Sequence, residues 1–263
     1  MKLLGYFSLF VCSVLSFAAK AQVPVYVAAY DYPPYFSDVL ETDLTRELVT
    51  SLNKHQNSYQ FIIEVIPPTA RYKALSQEGC CDVIFFESPR WGWNNSGVSY
   101  KKTMPLVKGK ERLVTVKAEG RKQSFFDNYE GKTLGGVKGY HYLLGGRLLA
   151  SDEAKENYTI YLANSRIINL RMVLGGRVDL TVVNDELLAV LEGSDQLKID
   201  NLLISEEVSH EYTLHLLVGE KKNITAETLQ KLLSELGRKG EFSQLFKRFN
   251  MERFQIYRPN AVR

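Results

Sequence analysis

The sequence predicts an α/β protein of two lobes, each a mixed, mostly parallel sheet flanked by helices, joined by two crossing strands. Three observations predict it. A β-α-β-α-β run fills the first part of the chain, and a second α/β run restarts near residue 132. Beyond the second run a surplus strand and two helices remain, enough to return to the first lobe. The 263-residue length is ample for two such units.

The elements follow in order. Val23 to Ala29 is a short β-rich run, stopped by Pro33-Pro34. Asp43 is placed to cap a helix over 43–54 whose apolar positions are Leu44, Leu48, Val49 and Leu52. Phe61 to Ile66 and Asp82 to Phe86 are the next strands, with a short helix from Ala70 to Gln77 between them. The stretch 87–110 is irregular, and Arg112 to Val116 reads as the first crossing strand. In the second unit, Lys132 to Val137 leads through Gly139 into a helix expected over Tyr142 to Ala150. Tyr158 to Leu162 is a strand, Ser165 caps a helix to Leu174, and Val178 to Val183 precedes a helix over 185–192. Val208 to Val218 is the second crossing strand, and helices follow from Thr225 and Phe242.

Residues 1–21 carry the three parts of a secretory signal peptide: Lys2, the apolar run Leu3 to Phe17, and Ala19-Lys20-Ala21 before Gln22. The apolar run is short for a membrane span of about 20 residues, so a soluble secreted protein is expected. Phe10 and Val11 before Cys12 are too large for a lipoprotein site. The net charge is +3, and losing Lys2 and Lys20 leaves about +1. So weak a field gives no reason to expect nucleic acid or an anionic membrane as partner. Cys80 and Cys81 are adjacent, with Cα atoms about 3.8 Å apart, below the usual disulfide range. A bond between them would be strained, so they read as two buried small hydrophobes rather than a redox pair, with their oxidation state left open.

No metal or cofactor signature is present. His-Glu-x-x-His, Gly-x-Ser-x-Gly and the P-loop are all missing from the sequence, and His210 and His215 fall on opposite faces of a strand. The basic run from Lys101 to Arg112 reads as a solvated loop.

The chain resembles the bacterial extracellular solute-binding proteins of family 3, the polar amino acid binding type. The resemblance rests on several short pieces in order. They are Tyr32-Pro33-Pro34-Tyr35, Asp43-Leu44, Arg71 to Leu75 with Gly79 and Asp82, Pro89-Arg90, and Met104-Pro105-Leu106. In the second unit they are Lys132 to Val137 with Gly139, Gly176 to Asp179, and Lys239 to Phe242. It implies the two-lobed periplasmic binding protein fold of type II, a ligand in the cleft, and delivery to a membrane permease of an ABC-type transporter, the protein itself a monomer. The lobes would then be residues 22–111 with 212–263, and 112–211. A sensor of the same fold is the alternative, and a periplasmic enzyme such as a dehydratase is a further one; no catalytic residue and no cofactor are assigned.

The resemblance also nominates site residues. Arg90 corresponds to an arginine that binds a ligand carboxylate, a role that suits the guanidinium fork; the other reading is a surface arginine. Arg71 either lines the cleft or braces its loop. Tyr32 matches an aromatic that stacks on the ligand, with Tyr35 beside it. Gly139-Tyr140-His141 is a turn whose free N–H groups would suit an anion at a helix start. Small hydroxyl residues usually follow this glycine in the family, so bulky Tyr140 and His141 argue against assuming a standard amino acid. Asn184 stands where the family has an ammonium-binding aspartate, with Asp185 one place later. Glu87 and Ser88, at a strand end, supply further polar groups.

Overall fold

The computed structural model describes residues 21–144, 146–192 and 197–257. Residues 1–20, with Cys12 and nearly all of the expected signal peptide, lie outside the described residues. Lobe 1 begins with β1 (Val23–Ala29), α1 (Leu44–His55), β2 (Tyr59–Val65), α2 (Arg71–Leu75), β3 (Val83–Glu87) and β4 (Tyr100–Lys102). The chain crosses on β5 (Val107–Val116). Lobe 2 is built from β6 (Leu134–Val137), β7 (His141–Leu144), β8 (Arg147–Ala150), α3 (Ser151–Asn157), β9 (Ile160–Ala163), α4 (Arg166–Leu174), β10 (Leu180–Asn184), α5 (Asp185–Leu191) and β11 (Leu202–Ile204). It returns on β12 (His210–Gly219) and ends in α6 (Ala226–Arg238) and α7 (Glu241–Arg248).

One path of strands runs through both lobes in the order β2-β1-β3-β12-β5-β10-β6-β9. β1 pairs in parallel with β2 and β3, and β6 pairs in parallel with β9 and β10. The two crossing strands join the lobes. Residues 210–214 of β12 pair antiparallel with β5, and residues 215–218 pair antiparallel with β3, with a register shift between His215 and Leu217. β12 thus belongs to both sheets.

Local sequence explains the helices around these sheets. Asp43 caps α1 by accepting from the Arg46 N–H at 2.8 Å, and α1 buries Leu44, Leu48 and Leu52 at one-turn spacing. Ser165 caps α4, which buries Ile167, Leu170 and Val173. Thr225 caps α6, which buries Leu229, Leu233 and Leu236. Among the described residues no helix is long and apolar enough to cross a membrane.

Three local expectations are corrected, and one strand is added to them. The helix expected over Tyr142 to Ala150 is instead the hairpin β7–β8, with α3 after it. Tyr142 and Leu144 are buried while Leu143 between them is not, a strand alternation, and Gly146 before β8 takes the left-handed backbone, φ 75°, that suits a hairpin turn. The basic run from Lys101 to Arg112 forms β4 and most of β5 rather than a loop; Lys101, Lys102 and Lys108 are exposed, but Glu111 within it is buried. Strand β11 comes unannounced as a third partner of β5. Cys80 and Cys81, expected as two buried small hydrophobes, are joined by a vicinal disulfide, and only Cys81 is buried while Cys80 is exposed.

Candidate functional site

The loop after β1 forms the lobe 1 wall. It is tied back by the Tyr32 N–H donating to the Phe36 carbonyl at 2.8 Å, which turns Tyr30, Tyr32 and Tyr35 inward. Tyr32 stacks on Tyr35 with ring centroids 5.1 Å apart and meets Trp91 edge-on at 5.2 Å. Beneath them Glu87, at the end of β3, accepts from the Tyr30 hydroxyl at 2.7 Å and from the Trp93 indole at 2.9 Å. Burial raises the Glu87 carboxyl pKa, and the guanidinium of Arg71 opposes the rise.

Arg71 begins α2 and is 3% exposed. Its Nη1 donates to the carbonyls of Pro68 and Gly139, both at 2.7 Å, and its Nη2 donates to the Tyr72 hydroxyl at 2.7 Å. Glu87 lies 3.8 Å from its Nε. The Gly139 carbonyl belongs to lobe 2, so Arg71 reaches across the cleft.

The lobe 2 wall has a second buried arginine. Arg166 is the first residue of α4 and 2% exposed. It pairs with Glu111 of β5, and its Nη1 donates to the Asn184 Oδ1 at 2.8 Å. Its guanidinium carbon sits 5.1 Å from the ring centroids of both Tyr32 and Tyr140. The Asn184 amide donates to the Pro33 carbonyl at 3.3 Å, and the Tyr140 hydroxyl donates to the Asp31 carbonyl, so both also tie lobe 2 to lobe 1.

Between the walls lies a cavity of about 20 Å³ lined by Tyr30, Tyr32, Arg71, Trp91, Glu111, Gly139, Tyr140, His141 and Arg166. That is room for about one water molecule. Three of these residues carry a buried polar atom with no hydrogen-bond partner among the described residues: the Tyr32 hydroxyl, Arg71 Nε and Arg166 Nε. Burial, and then the neighbouring Arg71, lower the His141 pKa to about 4. His141 is therefore a neutral imidazole at neutral pH, which lets its Nδ1 accept from Arg71 Nη2 at 3.3 Å. Among the described residues no group of three His, Cys, Asp or Glu is placed to hold a metal.

The residues nominated from sequence separate into three sets. Tyr32, Arg71, Tyr140 and His141 line the cavity together. Tyr35, Glu87 and Asn184 stand behind that lining, and Ser88 is fully buried with its Oγ unpartnered among the described residues. Arg90 is exposed and lines no part of the cavity, while Asp185 pairs with Arg112 at 2.9 Å outside it. The anion cradle expected at Gly139-Tyr140 is corrected, because its N–H groups are taken. Gly139 donates to the Ser151 Oγ at 2.9 Å and Tyr140 to the Val137 carbonyl at 3.2 Å, and no helix starts there.

Sequence reasoning missed Arg166, Glu111 and Trp91. A signal for Arg166 was present. Ser165 was legible as a helix cap after a parallel strand, which puts the next residue at the strand's carboxyl end, where α/β sites gather.

No family model and no curated protein sequence matches the chain. Solved structures do. The substrate-binding protein of an ABC uptake transporter from Streptococcus pneumoniae, with bound histidine, superposes with a TM-score of 0.68 at 14% identity, covering 89% of this chain and 95% of that one. The substrate-binding protein of an amino acid ABC transporter gives 0.65 at 17% identity, covering 86% and 98%. An ancestral amino acid-binding protein, a precursor of cyclohexadienyl dehydratase, gives 0.62 at 14% identity, covering 87% and 95%. The chain has the two-lobed fold of these substrate-binding proteins.

Proposed function

We propose that the protein is a periplasmic solute-binding protein. It takes up a small polar, amino-acid-like or carboxylate-bearing metabolite between its lobes and delivers it to the permease of an ABC-type transporter. The leader 1–21 is removed, residues 22–111 with 212–263 form one lobe, and residues 112–211 form the other. The protein acts as a monomer and does no chemistry on its cargo.

The observation that carries this reading is the pair of buried arginines, one on each wall of a single cavity, each with an Nε that makes no hydrogen bond among the described residues. Buried charges demand partners. Glu87 and Glu111 stand beside the two guanidiniums, so the walls are balanced in charge. A zwitterion suits such a balanced site: its carboxylate goes to the guanidiniums and its ammonium to Glu111. Tyr32 and Tyr140 supply ring faces, and His141 a neutral imidazole. Glu87, Ser88, Tyr35 and Asn184 support the contact set, and exposed Arg90 and ion-paired Asp185 stay outside it. A ligand larger than a water requires the lobes to part, and β5 and β12 are the strands that bend.

The neighbouring dehydratase precursor keeps a second reading in play, in which Glu111 and His141 act on the bound molecule. A thermal-shift screen of residues 22–263 against amino acids, small carboxylates, polyamines and sugars separates them. At about 100 times its Kd a ligand adds about 2.7 kcal/mol of stability. A hit that Arg71→Ala abolishes, with the compound recovered unchanged, supports binding. A hit returned as product replaces it with the enzyme. Silence across the panel removes the transport reading.

A further inference from the structure

The guanidinium of Arg166 sits in a seat with four sides. Tyr32 and Tyr140 present their rings at 5.1 Å each, inside the roughly 6 Å range of cation–π attraction. The two rings are themselves 5.8 Å apart and nearly perpendicular, so they form a corner around the charge. Glu111 supplies the counter-charge and the Asn184 Oδ1 an acceptor. These are the groups that would recognise a free guanidinium or alkylammonium head.

Helix physics does not account for a cation at this position. Arg166 is the first residue of α4, where the positive end of the helix dipole disfavours positive charge. Its place is set by the seat. The seat also spans the cleft: Tyr32 comes from the lobe 1 loop, Glu111 from a crossing strand, and Tyr140 and Asn184 from lobe 2.

We infer that Arg166 is a specificity-determining residue that fills an aromatic cation seat in the closed cleft and so excludes ligands with cationic side chains. An incoming guanidinium or ammonium side chain finds the seat occupied and meets two fixed guanidiniums, Arg166 and Arg71. Rejection by like charge is a direct route to specificity. What the site then admits is a neutral or acidic zwitterion. This rests on reading the cleft as the ligand site, and it adds the class of ligand that is refused.

The test is chemical rescue. In Arg166→Ala the seat is vacated, and methylguanidinium at low millimolar concentration should raise the thermal midpoint in a saturable way. Its apparent affinity should be at least ~10-fold tighter than for the unsubstituted protein. L-arginine and agmatine should act in the same direction. A folded Arg166→Ala variant that ignores methylguanidinium overturns the inference, as does equal binding by both proteins. The unsubstituted protein gives a second test that needs no variant: L-arginine, L-lysine and agmatine should produce no shift, and a shift with any of them overturns the inference even if Arg166→Ala does not fold. Failure of the transport reading would look different. It would show as no response to any neutral or acidic metabolite, with methylguanidinium rescue intact.

Discussion

Two arginines face one cavity from opposite lobes, and they are held in different ways. Arg71 spends its donors on neutral acceptors, the carbonyls of Pro68 and Gly139 and the Tyr72 hydroxyl; the Tyr72 and Tyr30 rings lie 4.4 and 6.0 Å from its guanidinium carbon, but its carboxylate, Glu87, stays 3.8 Å away. Arg166 is held by a directly paired carboxylate, an amide oxygen and two rings. The first arrangement is a brace between backbones, in which shape matters most. The second is a charge seat, in which the sign of the charge matters most. The same residue type, equally buried, does two jobs according to what surrounds it.

Removing each residue should expose that difference. The largest effect is expected for Arg166→Ala, which leaves Glu111 buried and unpaired and costs about 3–5 kcal/mol in urea denaturation. Replacing both partners, Arg166→Met with Glu111→Leu, should recover most of the loss; if it does not, the seat is a brace as well.

Next comes a carboxylate that belongs to neither arginine cluster. Glu186 accepts from Tyr35 of lobe 1 at 2.6 Å and from Tyr212 of β12 at 2.8 Å. Burial pushes its pKa from 4.5 up to about 7. The folded protein therefore holds this proton more tightly than the unfolded chain. The stability it contributes is fully present below pH 4.5 and is lost as pH rises to about 7. Glu186→Gln keeps an acceptor for both hydroxyls. It should match the parent at pH 4 and exceed its stability by roughly 2–3 kcal/mol at pH 8. Parallel curves of stability against pH would place the titration elsewhere.

Arg71→Ala should cost about 2 kcal/mol through stranded carbonyls. Arg71→Lys should recover little, because an ammonium cannot reproduce the fork. Full recovery by lysine would make Arg71 a charge seat too and erase the comparison. The smallest effect is expected for exposed Arg90→Ala, within ±0.5 kcal/mol, with ligand affinity unchanged. A collapse of affinity there would return the carboxylate contact to Arg90.

Much of the framework was legible because local chemistry sets it. Asp43, Ser165 and Thr225 announce their helices by caps, and the two crossing strands were placed within a few residues. The hairpin after Gly139 was not, because Leu143, Leu144, Leu148 and Leu149 give an apolar run that a helix or a strand can use. The site was half legible. Tyr32, Arg71, Tyr140 and His141 were nominated and line one cavity. Arg166 and Glu111 were not, since their pairing spans 55 positions along the chain and depends on how β5 packs against α4. Arg90, nominated by the resemblance, lies away from the cavity for a reason of local geometry. The Trp91 N–H bonds back to the Ser88 carbonyl at 3.0 Å, and in that turn Trp91 is buried while Arg90 is left exposed.

The split strand β12 sets an order of assembly. Every strand of the lobe 2 sheet path, apart from the pairing with β12 itself, lies within residues 107–204, so that sheet can form as a continuous stretch of chain. Lobe 1 cannot do the same. Its β3 has an open edge until residues 215–218 arrive, and α6 and α7 come later still. For a chain made from its N-terminus, the half that starts first finishes last, and β1, β2 and β3 must wait through the whole of lobe 2 with an unpaired edge.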